Sequence, residues 1–348
     1  MAAPMTSTGE SDTDVNVDEE KSVYIQALYS VGVTAATYPL TYAKVLVQIG
    51  HEPIAPHRTR TIFGRDGLAL PNVFKYVGHI RRVDGYFGLY RGITYKIASN
   101  FVGNVAVNHV MQKMKASSVW SRNKLGSELD GDKDAEDNSF QDFLKETAMQ
   151  STAQGIAVIV SHPFHVMAIR SMAQFVGCED AYSGWFSAIG EIFDRDGILG
   201  FFAGLAPRLI GELLTLWIAN TITHILNNFI IEDVEAKQYT GAVVNLLAGT
   251  LTYPFSVVSA VMVVTHSGLA AGSPPNMLHF RNWIHCWRHL SRENALKRGS
   301  SMLFRYYTPP VIMAVEEPIG SKVATDSLLV TPTPLPPPPP LEHQWKYN

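Results

Sequence analysis

Four long stretches of the chain carry no charge, and they constrain the fold more than any other feature: Val23–Ala43, Ala148–Ile169, Leu213–Ile231 and Val243–Val264. Each is close to the run of about 20 residues that a helix needs to cross roughly 30 Å of hydrocarbon. A fifth stretch, Ile97–Gln112, is shorter and more polar. Helices of a soluble core would carry a charged face, and these have none. Composition leans the same way, with 46% hydrophobic and 17% charged residues. The expected class is an all-α membrane protein.

Net charge is −3, so there is no basic excess to attract nucleic acid, and none is expected as a partner. Cys178 and Cys286 are too few for a disulfide framework and match no metal or redox spacing. No metal or cofactor is expected. Residues 1–20 contain no Lys or Arg, which is unlike a signal peptide or an Arg-rich presequence, so any targeting is expected to be internal. The acidic start, the charged stretch Gly126–Asn138 and the tail with Pro336–Pro340 read as unstructured segments.

Three amphipathic stretches lie between the spans. The first groups Val73, Tyr76, Val77, Ile80 and Val83, the second Tyr182, Trp185, Phe186, Ile189 and Phe193, and the third Phe280, Trp283, Ile284, Trp287 and Leu290. Apolar residues at helical spacing with aromatic and basic neighbours suit short helices in a membrane interface.

The pieces repeat. Each of three units pairs a proline-bearing span (Pro39, Pro163, Pro254) with a surface helix and then a glycine-rich turn. Two turns match closely: Asp84-Gly85-Tyr86-Phe87-Gly88-Leu89-Tyr90-Arg91-Gly92 and Asp196-Gly197-Ile198-Leu199-Gly200-Phe201-Phe202-Ala203-Gly204. The third, Glu293-Asn294-Ala295-Leu296-Lys297-Arg298-Gly299, is weaker. The glycine turns match no nucleotide fingerprint and read as structural. His162 and His165 straddle Pro163 with no carboxylate nearby in sequence, so no catalytic residues and no enzyme activity are expected.

This arrangement resembles the mitochondrial carrier family. Its repeat reads Pro-x-Asp/Glu-x-x-Lys/Arg-x-Lys/Arg, then a surface helix, then Asp/Glu-Gly-x-x-x-x-aromatic-Lys/Arg-Gly. The likeness covers about residues 23–305. The strings Tyr42-Ala43-Lys44-Val45-Leu46-Val47-Gln48, Glu52-Pro53, His162-Pro163-Phe164-His165 and Gly197–Leu205 resemble in particular the mitochondrial carrier homologs, divergent outer-membrane members of the family. The resemblance implies a degenerate three-repeat carrier fold with five transmembrane helices, the sixth lost. Its expected organisation is an acidic N-terminus over 1–22, repeat 1 over 23–114, an acidic linker over 115–139, repeat 2 over 140–232, an incomplete repeat 3 over 233–305 and a Pro-rich tail over 306–348.

The departures from the family pattern carry the functional reading. In a transporting carrier the resemblance implies an ionic ring after the span prolines. Here the acidic positions hold Thr41, His165 and Ser256, and the first basic positions Lys44, Ala168 and Ser259. The polar groups that remain fall in rows four residues apart, which stack on one helix face. One row is Lys96, Asn100, Asn104, Asn108 and Gln112; another is Arg208, Glu212, Asn220, His224 and Asn228, with Arg208 and Glu212 spaced to pair. Lys44 and Arg170 add charges on two further spans. Either these groups hydrogen-bond between helices, or they line a shared polar groove.

After Val264 no apolar run approaches a span, so the groove is expected to open sideways to lipid. Together with the family likeness, this implies an insertase for tail-anchored and other helical membrane proteins in the mitochondrial outer membrane. Outer-membrane lipids are expected to contact the groove. Lipid scrambling, or docking of apoptotic or metabolic regulators, is the alternative, and solute transport comes last because the ring is missing.

Overall fold

A computed structural model describes residues 11–60, 66–116, 135–229 and 233–306. Among the described residues are nine α-helices: α1 (Ser11–Gln48), α2 (Val73–Gly88), α3 (Ile93–Ala116), α4 (Ala135–Ala173), α5 (Trp185–Asp196), α6 (Leu205–Phe229), α7 (Val234–Leu251), α8 (Tyr253–Val264) and α9 (Trp283–Arg292). Two of the segments read as unstructured are helical in part. Helix α1 is described from Ser11 and α4 from Ala135. Residues 1–10, 117–134 and 307–348, with most of the expected linker and tail, lie outside the described residues.

Pro39 and Pro163 lie inside the continuous helices α1 and α4. The third proline behaves differently, and the run read as one span, Val243–Val264, is two helices bent by 56°. Pro254 has no N–H to give Thr250 and its ring crowds that carbonyl. Thr252 folds its hydroxyl back to the Ala248 carbonyl at 3.1 Å. The break is pinned across to α6, where Thr215 Oγ1 lies 2.5 Å from Thr252 Oγ1.

Among the described residues, Phe140–Ala173 and Ile198–Asn228 are long and apolar enough to cross a membrane, and the bent pair Tyr239–Val264 makes a third. Helices α1 and α3 have the length, at 38 and 24 residues, but α3 carries Lys96, Asn100, Asn104 and Asn108, which lower its apolarity.

The core lies where the C-terminal parts of α1, α4 and α8 meet. Tyr42, Leu46, Met167, Met172, Val257 and Val261 are buried together there. Around it α3 packs on α1 and α4, α6 on α4, and α7 on α6. A small antiparallel sheet adds to the helical body: β1 (His57–Arg60), β2 (Asp66–Leu70) and β3 (Arg305–Tyr306), with His57 opposite Ala69 and Leu70 opposite Arg305. Buried Arg305 fixes β3 by donating to the Pro71 carbonyl at 3.1 Å and pairing with Glu52. In repeats 1 and 2 a helix starts right after the turn glycine, at Ile93 and Leu205. After Gly299 the chain bends instead into β3. Any sixth helix would lie beyond 306, outside the described residues.

The surface helices α2 and α9 bury part of the expected faces: Val73, Tyr76 and Ile80 are buried in α2 while Val83 is exposed, and α9 buries Leu290 together with Cys286, which the expected face did not include, while Ile284 is exposed. Helix α5 turns its apolar face outward. Only Ala188 and Ile192 are buried, while Phe186 is 91% exposed and Trp185, Ile189 and Phe193 are also exposed. Small Ala188 lets α5 approach the core, and its aromatic face is left for the membrane interface.

Candidate functional site: a polar groove closed at the turn end

The turns that follow each surface helix close one end of the molecule. Gly85, Gly92, Gly197, Gly204 and Gly299 all have φ between 66° and 80°, the left-handed region glycine adopts freely. In the third turn Asn294, with φ 53°, takes the place of Gly85 and Gly197. Asn is among the few side chains that tolerate this conformation, so the weak third turn is a true member of the series. A Cβ on Gly92 would meet Ser171 of α4 at 3.0 Å, one on Gly204 the Ser259 carbonyl of α8 at 2.6 Å, and one on Gly299 Val47 of α1 at 3.2 Å. Each turn therefore seats against the proline-bearing span of the next repeat.

Two further sets of contacts repeat threefold. The residue before each span proline donates to the carbonyl before the last turn glycine of its own repeat: Tyr38 to Arg91 at 2.6 Å, His162 Nε2 to Ala203 at 2.9 Å and Tyr253 to Arg298 at 3.0 Å. Three arginines then tie each repeat to the next, two of them by capping a span end and Arg91 by holding the turn that follows α4. Arg91 donates to the Glu179 carbonyl at 3.1 Å, Arg170 to Val263 at 3.0 Å and Arg298 to Gln48 at 2.7 Å. Arg91 and Arg298 are turn residues. The second turn has Ala203 at that place, and Arg170 of α4 takes over. These latches were readable as a ring-bearing donor before every span proline, Tyr38, His162 and Tyr253, a signal the charge pattern hid.

Arg170 is thereby removed from the groove. It is fully buried, and besides Val263 it bonds Asp196 at 2.6 Å and the Tyr182 hydroxyl at 3.4 Å. Asp84, the matching turn acid, pairs with Arg91 at 3.5 Å because the position equivalent to Arg170 is Leu46. The closed end encloses a cavity of about 330 Å³ lined by Ile49, His51, Glu52, Val176, Ala271 and Asn276. Burial, with His79 nearby, pushes the His51 imidazole down to about 4.

Above this closure, α3, α4 and α6 bring Lys96, His162, His165, Arg208 and Glu212 together. The expected Arg208–Glu212 pair does not close. Arg208 donates instead to His162 Nδ1 at 3.1 Å. Arginine has only donors, so Nδ1 is the acceptor and the imidazole proton is on Nε2, which gives it to Ala203. Glu212 is exposed and acts on Arg208 and Lys96 only through its charge. Lys44 is set apart, its ammonium 5.0 Å from the centre of the Tyr253 ring.

The amide row divides. Asn100 donates to Thr34 at 3.4 Å, and Asn220 to Gln150 at 2.8 Å and Thr147 at 3.4 Å, so these two join helices. Asn104 and Asn108 are exposed beside Phe101 and Val105, which are 62% and 51% exposed. His224 stacks on Phe143 at 4.5 Å and lines, with Glu146, Gln150 and Asn220, a polar recess of about 200 Å³. Beyond it α7 exposes Val243, Leu246, Leu247 and Leu251, with Leu246 at 73%. The described residues place no span between α7 and α1.

Three proline-bearing units joined cyclically by turns, latches and arginine caps, around a polar interior, define a carrier-type helical membrane protein. The family model for "Mitochondrial carrier protein" matches residues 26–119 and 140–234. The chain is 40% identical over 287 residues to mitochondrial carrier homolog 2 of Homo sapiens, covering 80% of this chain and 93% of that protein. It is 36% identical over 307 residues to mitochondrial carrier homolog 1 of Mus musculus, covering 82% and 77%. A more distant relative is the probable mitochondrial adenine nucleotide transporter BTL1 of Arabidopsis thaliana, 25% identical over 236 residues and 65% of each chain. The chain belongs to the mitochondrial carrier family and is a protein of a mitochondrial membrane.

Proposed function

We propose that this chain is a membrane insertase of the mitochondrial outer membrane that guides tail-anchored and other helical proteins into the bilayer, without enzymatic activity. The observation that carries the reading is the charged cluster of Lys96, Arg208 and Glu212, with exposed Asn104 and Asn108 farther along α3 and with α7, which packs on α6, exposing an apolar face. Polar flanks of an entering helix lose less hydration along such a groove than through bare hydrocarbon, while the apolar helix passes sideways into lipid. The chain's likeness to carrier homologs 1 and 2, and the turn from Gly299 into β3 where a sixth helix would begin, support the same reading.

Reconstituted into liposomes, the purified protein should insert a tail-anchored reporter that empty liposomes leave protease-sensitive. No insertion above empty liposomes, together with saturable uptake of a nucleotide or small anion, would return the chain to solute transport. Asn104 and Asn108 beside exposed Phe101 and Val105 also suit lipid headgroups moving along α3. A headgroup-flipping assay on the same liposomes separates that activity.

A further inference from the structure

Lys96 and Arg208 stand in the first turns of α3 and α6, where the helix dipole already adds positive potential. Among the described residues Lys96 has no hydrogen-bond acceptor, and its interactions are electrostatic, with Arg208 and Glu212. Arg208 commits one nitrogen to His162 at 3.1 Å, and its other side-chain N–H groups have no acceptor among the described residues. His165 interacts with both cations, its ring 5.7 Å from that of His162. The nearby carboxylate, Glu212, is exposed and sets one negative charge against two positive.

A half-buried ammonium without an acceptor, beside a second fixed cation, is costly within a span. An anion between the two removes that cost. Resting on the groove reading above, we propose that Lys96, Arg208 and His165 form a binding site for one anionic group, a carboxylate or a phosphate, at the closed end of the groove. The planar guanidinium matches two oxygens of either group, the ammonium supplies a point charge, and an imidazole N–H adds a donor. The carboxylate source is the C-terminus of an entering helix; the phosphate source is a lipid headgroup. Glu212 opposes both and therefore sets the affinity.

The full chain in maltoside micelles is titrated with two fluorescent probes. One is an apolar helical peptide with a free C-terminal carboxylate, compared with its amide. The other is a short-chain phosphatidic acid, compared with the matching diacylglycerol. At least one acidic probe should bind more tightly than its neutral control, and which one does so identifies the source. Lys96→Gln and Arg208→Gln should each weaken it by roughly tenfold or more, and Lys96→Arg should retain it. Glu212→Gln should tighten it, a gain that misfolding does not produce.

Equal affinity for acidic and neutral probes, or acidic affinity unmoved by Lys96→Gln and Arg208→Gln, overturns the site. Reporter insertion measured on the same variants keeps the two readings apart. Anion binding without insertion removes the insertase and leaves the site, whereas insertion without anion binding removes the site alone.

Discussion

Arg170 looks from sequence like a groove cation and is in fact a three-way tie between α4, α8 and the second turn. Replacing it with methionine strands Asp196 and the Val263 carbonyl, and loss of one partner from a buried ion pair costs about 3–5 kcal/mol. Thermal unfolding should show Arg170→Met as strongly destabilised, and a wild-type melting temperature would refute the tie. The two cysteines should differ in reactivity. Burial raises the Cys286 thiol to about 12, so little thiolate forms, whereas Cys178 is exposed. Maleimide should label Cys178 in the native protein and Cys286 only after unfolding, as mass spectrometry would read. His51 links stability to acid. Its folded value near 4 lies below the ordinary 6.5, so between those values the unfolded chain takes the proton and the folded chain does not. Stability should fall as pH drops through that window, and His51→Gln should flatten the fall in pH-dependent melting.

At the level of elements, the turns are more alike in backbone than in sequence. Gly197 and Gly204 have similar positive φ, but a Cβ on Gly197 meets nothing within 4 Å and one on Gly204 meets the Ser259 carbonyl at 2.6 Å. Gly197→Ala should cost only the left-handed strain, roughly 1–2 kcal/mol, and Gly204→Ala clearly more. Equal losses in melting temperature would mean that the turn does not seat on α8. The repeat itself was legible, because helical periodicity, prolines and turn glycines are local signals. The break at Thr252 was not. A charge-free run reads the same whether its proline is absorbed, as Pro39 and Pro163 are, or divides the helix.

For the whole molecule, the family's ionic ring is replaced by latches and arginine caps that do not rely on opposed charges meeting across the axis. Hydrogen bonds from fully or partly buried arginines to the span-end carbonyls of Gln48 and Val263 and to Glu179 in the turn after α4 hold this end together, which favours a permanently closed turn end over alternating access. Cysteines introduced by Ile49→Cys and Ala271→Cys face the same cavity. Bridging them with a short bifunctional reagent should leave reporter insertion intact, and loss of insertion on bridging would show that this end must open.

By itself the sequence determined that the chain crosses a membrane in three related units, because span length, proline spacing and turn glycines follow from local chemistry. It also marked the missing ring, since an absent charge needs no coordinates to be noticed. Only the tertiary structure decided which polar groups share a space. Four-residue spacing puts side chains on one face of a helix but does not say what that face meets. So Arg170 went to the core, Asn100 and Asn220 to neighbouring helices, and Arg208 to His162 in place of Glu212. That Lys96 has no hydrogen-bond acceptor among the described residues likewise depends on which helices meet, not on spacing along one.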